Sequence, residues 1–119
     1  MVALGTAFYR HGHPYFIISD PAKNDGKVLC VNLTTVDEDC IDDECILNEN
    51  DYAWIEVGHP TSVAFSKAVV WDSALIDQCL QDGKLIAANP PIVSATTVAK
   101  VAGIAKNSRE LSPAMRAMV

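Results

Sequence analysis

The sequence predicts a mainly β domain of the α+β class. It reads as a small, partly open β-barrel of five to six strands over residues 1–71, followed by two to three short helices over residues 72–119, all in one domain. Three observations predict this. Apolar runs rich in β-branched and aromatic residues, YFII at 15–18 and VLCVNL at 28–33, stand between clusters of turn-forming residues. Asp25–Gly26 between the two runs is a strong hairpin signal. After Trp71 the apolar spacing changes from that of strands to that of helices. A chain of 119 residues suits one core and leaves little room for two.

The elements follow in order. Residues 3–9 form a short mixed run, and 15–18 and 28–33 are two strands of one hairpin with a fairly long loop. Residues 37–44 are acidic and read as a surface loop. CIL at 45–47 is a short strand, and NEND at 48–51 a turn. YAWIEV at 52–57 alternates as a strand does, Gly58–His59–Pro60 punctuates it, and 62–71 is the last strand of the body. Asp72 or Ser73 can cap a helix carrying Ala74, Leu75, Ile76, Cys79 and Leu80, which Gly83 stops. Asn89–Pro90–Pro91 is a break. Residues 94–107 form a second helix with Val98, Val101, Ala102 and Ala105 on one face, weakened by Thr96, Thr97 and Gly103. Ser112–Pro113 opens a short third helix.

Composition narrows the function classes. Half of the residues are hydrophobic, too many for a disordered tail. No apolar run approaches the roughly 20 residues that span a bilayer. The start, MVALGTAFYRHGH, lacks the basic and long apolar regions of a signal peptide. The expectation is a cytoplasmic protein without a membrane partner. The net charge of −6 hides an uneven distribution, −10 over residues 1–82 and +4 over residues 83–119. A nucleic-acid partner would have to meet a local basic face.

Cysteines at 30, 40, 45 and 79 are expected to be reduced and structural. The acids around Cys40 and Cys45 raise a thiol pKa, and no second close pair completes a zinc site. An EF-hand loop starting at Asp37 would need glycine sixth and glutamate twelfth, where Asp42 and Asn48 stand. The acidic stretch is therefore expected to be a solvated loop. In an extended chain His11 and His13 project to one side, and His59 joins them only if the barrel brings it close. Ordinary turn histidines are the plainer account. Thr34 and Thr35 end the strongest strand, where a hydroxyl can hold a phosphate or simply serve as a β-branched strand residue. Nucleophile elbow, phosphate-cradling glycine loop and dinucleotide fingerprint are all missing.

The segment HGHPYFIISDPAKNDGKVLCVNLTT resembles the PemK/MazF family of toxins, over roughly residues 10–71. Its features are a residue before proline, an apolar strand ending in serine, a loop, and a strand closing on threonine. The resemblance implies a small, partly open barrel, usually dimeric. It also implies a metal-independent endoribonuclease that needs no cofactor, acts on single-stranded RNA and is neutralised by an antitoxin protein. Where the family has an arginine before the proline, this chain has His13, while Thr34 or Thr35 fills the hydroxyl position. Histidine carries charge only when protonated, and it can act as general acid or base. The residues so assigned are His13, His11 and Thr34 or Thr35 for catalysis, and Arg10, Lys23, Lys27 and Lys67 for RNA contact. The alternative is a catalytically silent barrel that works through a protein partner. It is motivated by the acidic body and by the Val98, Val101, Ala102, Ala105 stripe, which would bind a groove or, more blandly, pack on its own barrel.

Overall fold

The computed structural model describes residues 1–36 and 42–119. Six strands form one antiparallel sheet: β1 (Thr6–Arg10), β2 (His13–Ile17), β3 (Lys27–Thr35), β4 (Ile46–Leu47), β5 (Thr61–Asp72) and β6 (Ile86–Ile92). Their order is β4-β5-β3-β2-β1-β6. The end strands β4 and β6 do not pair with each other, so the curled sheet is a half-barrel, as the sequence predicts. Helices α1 (Ser73–Gln81), α2 (Ala95–Ala105) and α3 (Pro113–Arg116) follow β5, with β6 between the first two.

The central strand β3 explains why its apolar run is continuous, because it is buried on both faces. Leu29, Val31 and Leu33 enter a large core with Ala7, Phe16, Val63 and Phe65, closed by Val98, Val101 and Ala105 of α2. Val28 and Cys30 enter a smaller core with Phe8, Tyr15 and Ile17, closed by Ile76 of α1. One residue of slip in register would exchange the two sets of side chains. Between the pairs Cys30↔Val69 and Asn32↔Ala64 the register of β5 shifts, and this irregularity bends the strand. Trp71 consequently reaches Phe8 and Tyr15, its ring centroids 5.8 and 5.7 Å from theirs, although two strands separate β5 from β1.

Two elements differ from the sequence reading. Asn89–Pro90–Pro91, predicted as a break, lies within β6, which spans Ile86–Ile92 and pairs with β1. Pro90 and Pro91 are tolerated because β6 is an edge strand, whose outer side needs no N–H donor. Residues 52–57, predicted as a strand, are turns instead. Tyr52 and Ile55 are buried and joined by the Ile55 N–H to Tyr52 carbonyl bond, while Val57 is exposed. The apolar alternation there reflects two anchor residues in a loop. Tyr52 also donates its hydroxyl to the Pro90 carbonyl at 2.6 Å, tying that loop to β6.

The helix ends match their capping chemistry. Asp72 Oδ1 accepts from the Ala74 N–H, Ser94 Oγ from Thr97 and Ser112 Oγ from Met115. The Ala74 bond, with Lys27 Nζ nearby, holds the Asp72 carboxyl below its ordinary range. Gly5 is the tightest backbone approach: its φ is +84°, and a Cβ there would lie 2.5 Å from the Val93 carbonyl oxygen. That closeness lets the Val93 N–H reach the Gly5 carbonyl and continue the β1–β6 contact.

Candidate functional site

The β1–β2 hairpin turns on His11 and Gly12, both at positive φ, 52° and 79°. A two-residue turn of this kind matches the twist of the strands it joins. It closes on the pair Arg10↔His13. Strand β2 pairs with β3 from Tyr15 opposite Asn32 onward, and the His13 ring reaches β3 at the Leu33 carbonyl, one residue before Thr34. Thr34 in turn faces Ser62 of β5. Directly opposed residues of antiparallel strands share a face, at about 5 Å between Cβ atoms. Arg10 and His13 are thus one facing pair and Thr34 and Ser62 another, and the His13 contact with β3 joins them in one polar row across four strands.

Hydrogen bonds fix the row. His13 Nδ1 lies 3.4 Å from the Leu33 carbonyl oxygen. An Nδ1–H donated there leaves the lone pair on Nε2. Thr34 donates its hydroxyl to Asn32 Oδ1 at 2.7 Å, and Asn32 itself is fully buried. Ser62 donates to the carbonyl of Asp42, and Ser66 to the Asp42 carboxylate. The inner end of the row is therefore closed by Asp42, while His13 and Thr34 stay partly accessible. Arg10 carries its guanidinium 4.6 Å over the Trp71 ring.

The other residues singled out in the sequence are dispersed. His11 is exposed in the turn, so it does not share an extended face with His13. Thr35 pairs with Thr61 and lines a separate cavity of about 250 Å³ with Trp54, Glu56 and His59. His59 stands 3.9 Å from Glu56 there. Among the described residues no three His, Cys, Asp or Glu side chains group as metal ligands. Lys23 donates to the main-chain oxygen of Val119, and Lys27 pairs with Asp72 at 3.5 Å. Both line a shallow groove beside the C-terminal segment, while Lys67 is exposed on β5.

The acidic stretch falls partly outside the described residues, as do the readings on Asp37, Glu38, Asp39 and Cys40. Of its described end, Asp43 is exposed as expected, and the other two acids are held by the protein. Asp42 is buried, and Glu44 accepts from the Ser108 hydroxyl and the Arg109 N–H. These bonds, the Ser108 hydroxyl foremost, hold the Glu44 carboxyl below its ordinary range. The described thiols are free. Burial pushes Cys30 up to about 12 and is the main cause that raises Cys45 to about 11. The neighbouring acid Asp51 adds only a smaller part at Cys45.

Sequence reasoning missed Asn32, Ser62 and Trp71. Asn32 offered the one usable signal, a lone amide inside an apolar strand, since a buried amide needs a partner. Comparison with family models, with curated proteins and with solved structures finds no match to this chain. The likeness to PemK/MazF rests on the residues quoted from the sequence.

Proposed function

We propose that the protein cleaves single-stranded RNA at the Arg10–His13–Thr34 row, as a metal-independent endoribonuclease of the PemK/MazF kind. In this reading it works in the cytoplasm as a homodimer and is held in check by an antitoxin protein. The observation that carries it is a partly accessible imidazole at the hairpin end, paired in register with Arg10 and reaching the Leu33 carbonyl next to the Thr34 hydroxyl. The half-barrel also agrees with the architecture that the resemblance implies.

The chemistry follows from those groups. The RNA 2′-hydroxyl oxygen attacks the adjacent phosphorus, and His13 Nε2 takes its proton. The 2′-O–P bond forms and the P–O5′ bond breaks, and the imidazolium returns the proton to the departing 5′ oxygen. The products are a 2′,3′-cyclic phosphate and a 5′-hydroxyl. Arg10 supplies the fixed positive charge for the phosphoryl oxygens. For Thr34 to donate to the phosphate, the Asn32 amide must turn so that its NH₂ meets the threonine oxygen, which frees the hydroxyl proton.

The test is a long single-stranded RNA incubated with purified protein in EDTA. Discrete cuts with cyclic-phosphate ends are expected, slowed about 10²- to 10⁴-fold by His13→Ala. Intact RNA together with normal growth on expression overturns the proposal and leaves the catalytically silent module. One motive for that alternative is already weakened, because Val98, Val101 and Ala105 are packed on the chain's own sheet.

A further inference from the structure

A groove of about 230 Å³ runs between α1 and the face of the sheet that carries Arg10. Its apolar walls are Trp71, Leu75, Ile76 and Leu85, and its two cations are Arg10 and Lys84. Leu75 stands at its lip with 57% of its surface exposed, so its side chain is open to a ligand in the groove. Among the described residues neither Arg10 nor Lys84 has an ion-pair partner, and Arg10 lays its guanidinium over the Trp71 ring. In a chain of net charge −6, two unpaired cations around an aliphatic floor are a specific arrangement.

We propose that this groove binds a small carboxylate with a hydrocarbon body, such as a medium-chain fatty acid. The guanidinium and ammonium groups would hold the carboxylate, Arg10 by its paired N–H donors. The tail would lie on Leu75, Ile76, Leu85 and the Trp71 ring. The wall chemistry selects this class. Apart from the two cations and the weakly polar Cys79 thiol, the lining side chains offer a ligand little hydrogen bonding. A nucleobase would therefore leave its polar edge unpaired, whereas a hydrocarbon leaves nothing unpaired. Size agrees, since an apolar cavity of about 150 Å³ already admits benzene. The site shares Arg10 with the proposed catalytic row, but it is argued from the groove alone and stands whether or not the chain cleaves RNA.

Octanoate is the probe, with octanamide as its uncharged counterpart. Binding is read by fluorescence in a Trp54→Phe background, where Trp71 is the single remaining tryptophan. A Kd on the order of 0.1–1 mM is expected for octanoate, about tenfold weaker for octanamide. Lys84→Met should weaken octanoate about tenfold while leaving both the octanamide signal and RNA cleavage unchanged. Leu75→Glu, at an exposed position, should weaken octanoate by at least as much. Cys79 lines the same groove and gives an independent readout. Two cations nearby should make iodoacetate label it faster relative to iodoacetamide than it labels a free thiol, and octanoate should protect it. Equal affinity for octanoate and octanamide, no binding of octanoate at 10 mM, roughly ten times the weakest expected Kd, or indifference to Lys84→Met overturns the proposal. Loss of RNA cleavage alone does not.

Discussion

Replacing Val101 by Ala should destabilise the protein by roughly 2 kcal/mol, although alanine is the better helix former. The side chain has no exposed surface and packs α2 against the large core. Removing two methyl groups forfeits about 0.8 kcal/mol each in transfer free energy, and the unfilled cavity adds to that. The gain in helix propensity returns about 0.5 kcal/mol. Burial wins. Urea denaturation followed by far-ultraviolet circular dichroism should show the midpoint falling by about 1 M with an unchanged slope. The melting temperature should drop by about 8 °C. On the same helix Gly103→Ala should act in the opposite direction. A Cβ at Gly103 meets nothing within 4 Å, so the substitution should stabilise by about 0.5–1 kcal/mol. If Val101→Ala shifted stability by less than about 0.5 kcal/mol, the reasoning that this face closes the chain's own core would fail.

Tyr52→Phe should cost about 1–2 kcal/mol, measured by the same denaturation, because it deletes the bond that ties the 52–57 loop to Pro90. Burial raises the Tyr52 hydroxyl to about 12, so its stabilisation is complete below pH 10 and is lost as pH rises toward 12. That alkaline loss should be missing from Tyr52→Phe. Glu44 behaves with the opposite sign. Its lowered carboxyl pKa makes its bonds to Ser108 and Arg109 stabilising above the ordinary glutamate value of 4.5, and that contribution is lost as pH falls below it. Glu44→Gln should be less stable at pH 7 and show a shallower acid decline between about pH 5 and 3. An unchanged acid limb would mean that Glu44 does not latch the C-terminal segment.

Much of the sheet was legible because its signals are local. The β2–β3 hairpin follows from two apolar runs around Asp25–Gly26, and all three helices follow from their caps at Asp72, Ser94 and Ser112. Strand β6 was not legible, because two prolines argue against a strand everywhere except at an edge. Edge position is a property of sheet order, which no local pattern records. Residues 52–57 misled for the converse reason: Tyr52 and Ile55 are apolar because they plug a core built by distant strands.

The sequence by itself determined the fold class, the turns and the choice of His13 and Thr34 as candidates. Only the tertiary structure decided that the His13 ring comes to Leu33, next to Thr34, while Thr35 joins Trp54 and His59 elsewhere, since register depends on pairing between strands. It also decided that Arg10 meets Trp71 and shares a groove with Lys84, residues more than 60 positions away in the chain, through the bend of β5 and the return of β6. Side-chain type is written residue by residue. Which types become neighbours is set by the curl of a sheet that buries both faces of its central strand.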